Sequence, residues 1–301
     1  MVTTVTLNLY KTGKQNKIFK TLKITIMINV TLVGAGGKMG VRLTRNLIAS
    51  NYNVSYLEVS PEGLERVKQN GVIVSTAEEA IPTADVVIFA VPDVLIGKVA
   101  ALYVPKMKAG AIGMCLDPAA PLAGYLPARE DISYFAAHPS HPSVFNWEAD
   151  EKAHYDYFGG IAAKQTIVCA LIQGKETDYS IGEALAKTIY GPVTNSYRIS
   201  IEQMGILEPA LSETFGAAMI TIMKEAVDTV VAKGVPKEAA YEFFLGHINI
   251  ELALVFNQLP GGQFSDAAKK AIEIGKKQIF KDDWKNIFEP DNVKEQIIAI
   301  T

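Results

Sequence analysis

Val30-Thr-Leu-Val-Gly-Ala-Gly-Gly-Lys-Met-Gly40 decides how this chain is read. An apolar run ends in a cluster of glycines, and a helix-compatible stretch (residues 41–49) follows. Strand, tight turn and helix in this order set a helix N-terminus against a phosphate, with first-turn amides aimed at the anion. Glycine is required where a Cβ would hold the backbone away from the ligand. Gly34 and Gly36 fit G-x-G, but the sixth position is Met39 and the last glycine falls at Gly40, so Gly34-x-x-Gly37-x-x-Gly40 fits equally well. A glycine cluster alone is weak; the context around it raises its meaning. Glu58, 18 residues past Gly40, closes the next apolar run, Val54-Ser-Tyr-Leu-Glu-Val59. An acid there accepts hydrogen bonds from ribose hydroxyls and repels a 2′-phosphate, which favours NAD over NADP. The bland alternative for Glu58 is an exposed carboxylate at a strand end.

From residue 27 onward, apolar runs alternate with amphipathic stretches, the pattern of a parallel sheet with crossover helices. Strands are expected at about 28–33, 54–58, 72–74, 85–91, 111–116, 132–136, 166–172 and 193–199. At their carboxyl ends stand the glycine turn, Glu58, Val91-Pro92-Asp93, Asp117-Pro118 and His138-Pro-Ser-His-Pro142. Ligands of open α/β sheets bind outside the carboxyl ends of the strands, so these separated pieces should meet at one crevice. The cofactor-binding candidates are Gly34, Gly36, Gly37, Lys38, Met39, Glu58, Val91 and Pro92.

The fold class expected is α/β: a doubly wound parallel sheet over 27–199, followed by an all-helical domain over 200–301. Residues 201–233 read as one long helix, or two joined at Pro209, apolar over most of its surface and therefore buried. Gly234 suits the stop, Pro236 the next start, and Ser265 an N-cap. Residues 1–26 hold five lysines and no acid. They read as an extraneous or disordered extension, without the apolar core of a secretory signal.

The 301 residues are 49% hydrophobic and 20% charged, with a net charge of −3. This permits a full core and gives no basic footprint for nucleic acid. No apolar run reaches a membrane span. Cys115 and Cys169 sit in apolar runs and read as buried thiols in a reducing cytoplasm. There is no G-x-S-x-G elbow and no Walker lysine, so hydrolase and kinase chemistry have no foothold.

The sequence His138-Pro-Ser-His-Pro142 places two histidines three apart among prolines that forbid a regular helix. At a crevice edge, His138 is the candidate acid/base, with Asp117 beside it as the other catalytic candidate. His141 is a candidate for the substrate or a structural residue of the loop; a metal pair is a poor reading of H-x-x-H in a proline turn. His247 and Glu251 share a helix face in an apolar segment and are either a core polar network or a substrate-facing edge. Glu208, just before Pro209, is a carboxylate beside a freed backbone carbonyl.

The glycine turn and Ala90-Val-Pro-Asp93 resemble the 6-phosphogluconate dehydrogenase-like superfamily, a Rossmann domain followed by a helical domain that often dimerises. The catalytic lysine of that superfamily's 3-hydroxyacid dehydrogenases is missing, since the comparable stretch reads Ile201-Glu-Gln-Met-Gly-Ile-Leu-Glu208. The His-Pro-x-His-Pro turn, Leu207-Glu-Pro-Ala-Leu-Ser-Glu213 and Gly246-His-Ile-Asn-Ile-Glu-Leu-Ala253 are similar to the D-apionate oxidoisomerases, over essentially 27–301. That resemblance implies NAD-dependent oxidation of a branched sugar acid at its 2-hydroxyl, with a 1,2-shift of a hydroxymethyl group to leave a 3-oxo acid. A divalent cation such as Mg²⁺ would help such a shift, and a hard ion's preference for oxygen makes Glu208 its candidate ligand; His141 and His247 are the substrate candidates, and the resemblance implies a homodimer through the C-terminal helices. The competing readings are a plain NAD-dependent hydroxyacid dehydrogenase and a non-catalytic NAD(H) sensor.

Overall fold

The computed structural model describes residues 3–8 and 21–301. Strands β1 (Thr3–Asn8) and β2 (Thr21–Ile26) pair antiparallel in a ribbon of their own. The rest of the extension expected over 1–26 lies outside the described residues. The chain divides into two compact units: one extends to Gly205 and takes in Ile297–Thr301, and the other is Ile206–Gln296.

The first unit is built on seven strands: β3 (Asn29–Val33), β4 (Asn53–Leu57), β5 (Val86–Phe89), β6 (Ile112–Cys115), β7 (Ser133–Pro139), β8 (Gln165–Gln173) and β9 (Val193–Arg198). Their order is β4-β3-β5-β6-β7-β8-β9. The first five in this order run parallel, with Val30 opposite Val54 and Val33 opposite Phe89. The strand pair β8–β9 is parallel within itself but antiparallel to β7, with Ala137 opposite Cys169. The sheet is thus parallel-dominated and not wholly parallel. An apolar strand buried on both faces carries the same residues in either direction, so its polarity has no local signature.

Alternation along β3 explains the two layers. Val30 and Leu32 face one core with Leu43, Leu47, Met114 and Leu185, drawn from helices Lys38–Ile48 and Glu176–Ile189. Val33 faces the other with Val87, Phe89, Ala100 and Met204. Each large side chain so buried contributes roughly 1.5–3 kcal/mol. The strand Val86–Phe89 is buried at every position, as its β-branched run requires.

The 201–232 stretch, whose first five residues belong to the first unit and the rest to the second, is helical throughout. It is α at Ile201–Gly205, π at Ile206–Ala217 and α at Ala218–Ala232. Pro209 is buried inside the π segment, whose wider register lets the chain pass a residue that cannot donate. Phe215 stacks on Trp284 at 5.4 Å and tilts against Phe288 at 6.1 Å. Gly234, at φ +100°, ends its helix as expected, and the Ser265 hydroxyl accepts from Ala268 N at 3.2 Å. The expected burial is corrected. Val227 is the one buried residue of Ala218–Ala232 and Ala240 that of Lys237–Val255. Ile220 and Ile222, within the stretch expected to be buried, are 64% and 46% exposed, and in the next helix Phe243 and Leu245 are exposed as well. An apolar pattern signals that a surface wants covering, and not whether the same chain covers it.

Candidate active site

The glycine turn is held from three sides. The amides of Gly34 and Ala35 both donate to Leu57 O, at 2.9 and 3.0 Å. Gly34 adopts φ +81°, and a Cβ there would stand 2.5 Å from Ala90 O. Gly36 lies on the backbone of Gly63, where any Cβ would overlap it. Arg66 Nε donates to Gly36 O at 2.6 Å. Gly37 is the N-cap of helix Lys38–Ile48, with no side-chain cap and no acid in the first turn. The leading amides of that helix therefore have no acceptor behind them, which is the anion-binding condition.

Glu58 sits behind this turn. Its Oε2 accepts from Gly36 N at 2.9 Å, and its Oε1 from Val59 N, Ser60 N and Ser60 Oγ at 2.8, 2.9 and 3.0 Å. Partial burial raises the pKa of the carboxyl, but the hydrogen bonds from Ser60, Val59 and Gly36 outweigh it and hold it below the ordinary value. A group whose folded pKa is depressed stabilises above its unfolded pKa, and that stabilisation fades as pH falls through the folded value. Glu58→Gln should therefore cost about 1–2 kcal/mol at pH 7, the range for charge-assisted hydrogen bonds at a half-exposed site. The difference from the parent should shrink below pH 4 in thermal melts; a constant difference would deny the carboxylate this bracing role.

A cavity of about 530 Å³ joins the turn to the strand ends, lined by Gly37, Lys38, Met39, Val91, Pro92, Asp93, Asp117, His138 and His141 among others. The glycine turn and the strand ends at Val91-Pro92-Asp93, Asp117 and His138 thus meet at one crevice, while Glu58, expected with them, is not among its lining residues. His138 stands near the end of β7, and its Nδ1 donates to Leu116 O at 2.8 Å. A carbonyl has no proton to give, so in the neutral ring Nδ1 carries the hydrogen and Nε2 the lone pair. Asp117 Oδ2 lies 3.9 Å from the same Nδ1, while Oδ1 accepts from Ala119 N at 2.7 Å. Asp93 opens helix Asp93–Tyr103. Burial foremost, with the neighbouring Asp117 charge, raises its carboxyl to about 6. Burial and the same two acids push the Cys115 thiol up to about 12, which excludes it as a nucleophile.

His141 is held at φ +59°, its Nδ1 on Phe158 O at 2.8 Å and its ring 6.3 Å from that of His138. A non-glycine residue at positive φ is costly and persists where the surroundings fix it. The Arg42 guanidinium covers the Phe158 ring at 3.9 Å. Asn46, one turn further along the same helix, donates to Gly160 O at 3.2 Å and Ile189 O at 3.0 Å. Asp156 is buried, and its Oδ2 accepts from Ile161, Ala162 and Ala163 amides at 3.0, 2.9 and 3.1 Å. The segment 140–164 is therefore a built wall of the cavity.

In the second unit Glu208 is half-buried at the head of the π segment. His247 stacks on Phe243 at 4.1 Å and donates from Nδ1 to Phe243 O, on an exposed helix face. Sequence reading placed Asp93 at the sheet edge without a role, because its acidity depends on burial against Asp117. It missed Arg42 and Phe158. Arg42 had a faint signal, one turn after Lys38 on the phosphate-facing helix; Phe158 had none.

A doubly wound sheet carrying a glycine turn, with an imidazole and carboxylates across the crevice, defines a dinucleotide-dependent oxidoreductase. The family model for the phosphogluconate dehydrogenase (decarboxylating) C-terminal region matches residues 146–301, and that for NADP oxidoreductase, coenzyme F420-dependent, matches 29–112. A D-apionate oxidoisomerase of Cupriavidus necator is 52% identical over 90% of this chain and 99% of its own. Another, from Rhizobium rhizogenes, is 49% identical over 91% and 100%. A solved C. necator structure, described as a semialdehyde dehydrogenase NAD-binding protein in complex with calcium and NAD, superposes with a TM-score of 0.90 at 51% identity, covering 92% of this chain and 100% of that one. The chain belongs to the D-apionate oxidoisomerase family. Among the described residues no helix is long and apolar enough to cross a membrane.

Proposed function

We propose that this enzyme oxidises a branched sugar acid of the D-apionate type at its 2-hydroxyl with NAD⁺ and shifts a hydroxymethyl group to give a 3-oxo acid. The observation that carries this reading is the single cavity joining the phosphate-binding turn to His138 and Asp117, in a chain half identical to the D-apionate oxidoisomerases. The residues present fit a dinucleotide: the turn has no room for side chains at Gly34 and Gly36, and the helix behind it leads with uncapped amides. When bound, NAD⁺ supplies the two-electron acceptor.

Gly34, Gly36, Gly37, Lys38 and Met39 would hold the pyrophosphate, and Glu58 would meet the ribose hydroxyls from the strand end. Val91 and Pro92, which line the cavity, would contact the cofactor there. His138 Nε2 takes the proton from the 2-hydroxyl as the hydride leaves. Asp117, near Nδ1, favours the imidazolium so formed. His141 and His247 are the substrate-contact candidates.

A hard divalent cation would draw on oxygen donors, which favours Glu208 as its ligand, and calcium in the similar C. necator structure accords with such an ion. When bound, such an ion supplies stabilisation of developing alkoxide charge. The exposed apolar helices of the second unit support a homodimer, and two buried free thiols support a reducing, cytoplasmic setting.

Incubation with NAD⁺ and a panel of branched and linear aldonates, with and without Mg²⁺, tests the reading. NADH and a rearranged carbon skeleton by NMR are expected. NADH with an unrearranged 2-oxo acid would make this a plain dehydrogenase; no NADH from any sugar acid would remove the enzymatic reading altogether.

A further inference from the structure

The reaction proposed above moves two protons off two oxygens, and His138 accounts for one. In the oxidation, the C2 hydrogen leaves with its electron pair to NAD⁺, and the O2 proton passes to His138. In the shift, the bond from C3 to the migrating hydroxymethyl carbon breaks and its electron pair forms the new bond to C2. O3 loses its proton as C3 becomes a ketone, and O2 becomes an alkoxide that takes the proton back from His138. The net proton released is the one from O3, and it needs an acceptor of its own. His138 is protonated at that moment and cannot serve.

We propose that Asp93 is this second acceptor, a catalytic base for the 3-hydroxyl. This inference rests on the oxidoisomerase reading. Asp93 lines the same cavity as His138 and reaches it from a different strand end, the turn after β5. Two bases on different elements can face two neighbouring oxygens of one substrate. Asp117 is the less suitable group, because its Oδ1 is engaged by Ala119 N and its Oδ2 lies beside the His138 ring. The backbone amide of Asp93 lies close enough to its own carboxylate to lower its pKa in part. The charged and titratable groups sharing the cavity are Lys38, Arg42, Asp117, His138 and His141. Burial, and then the Asp117 charge, raise the Asp93 pKa to about 6, close to working pH, where a carboxylate both accepts and releases a proton.

The test is Asp93→Asn, with Asp93→Glu beside it and thermal melting to verify folding. Formation of rearranged product should fall roughly 10²-fold in the amide variant. Unrearranged 2-oxo acid should accumulate in the product NMR, and the glutamate variant should restore part of the rearrangement. With two bases required, kcat/KM for rearranged product should have a limiting acid slope of about two in the parent and about one in Asp93→Asn. Rearrangement at the parental rate, or a slowed enzyme that keeps both the parental slope and the parental product ratio, would overturn the role. A parent enzyme that makes no rearranged product would overturn the underlying functional reading instead.

Discussion

His138→Asn lowers kcat by roughly 10²–10⁴-fold, the span of a lost general base. The choice of asparagine follows from the geometry. Its side-chain amide NH₂ can reproduce the Nδ1 donation to Leu116 O, seen at 2.8 Å, so the strand end keeps its hydrogen bond. What disappears is Nε2, the nitrogen that the tautomer argument leaves with the lone pair. Alanine would mix that loss with an unpaired carbonyl. NAD affinity, measured by calorimetry, should stay within about threefold, since His138 stands across the cavity from the phosphate turn. Turnover within a factor of about five of the parent would take His138 out of the chemistry.

Gly36→Ala has the second large effect, through sterics. The added Cβ falls on the backbone of Gly63, and Gly63 is in turn pressed against the Glu58 side chain. No flexible side chain can swing away, so the turn or helix Pro61–Gln69 must shift. The cost should be about 3 kcal/mol or more, at the upper end of overpacking. NAD affinity should fall at least about tenfold, because the same backbone offers the phosphate-facing amides. Gly246→Ala is the contrasting substitution: it lies in helix Lys237–Val255 with open space around it, and alanine there should stabilise by about 0.5–1 kcal/mol. Thermal melts and cofactor titration of the two variants decide the point. Unchanged NAD binding in Gly36→Ala would mean the close approach is not needed.

The parts legible in the sequence were those written locally. Val30 to Val33, the glycines after them and Glu58 declare a strand, a turn and the next strand end. The sheet edges carrying Asp93, Asp117 and His138 were legible too, because each follows an apolar run. The antiparallel placement of β8 was not, since Thr166 to Ile172 reads alike in both directions. Nor was the π register of Ile206–Ala217, which depends on which carbonyl each amide finds and not on side-chain pattern. The exposure of Ile220 and Ile222 defeated the burial rule for the same reason: hydropathy is a property of one helix, and its cover is a property of its surroundings. The raised pKa of Asp93 depends first on burial and then on Asp117, 24 positions away in sequence, and only folding supplies both.

The reversal at β7–β8 has a consequence for how such a site diversifies. Because β8 runs back along β7, the segment 140–164 leaves the sheet at Pro139 and re-enters it at Gln165, which is near the same carboxyl-end edge. Ser140 N already donates to Thr166 O at 2.9 Å across its base. A connection anchored at both feet on one rim can lengthen, shorten or change composition without altering strand order. A crossover between parallel strands has no such freedom, since it must travel the length of the sheet. This one loop can therefore be remodelled without moving the strand ends that carry Asp93, Asp117 and His138.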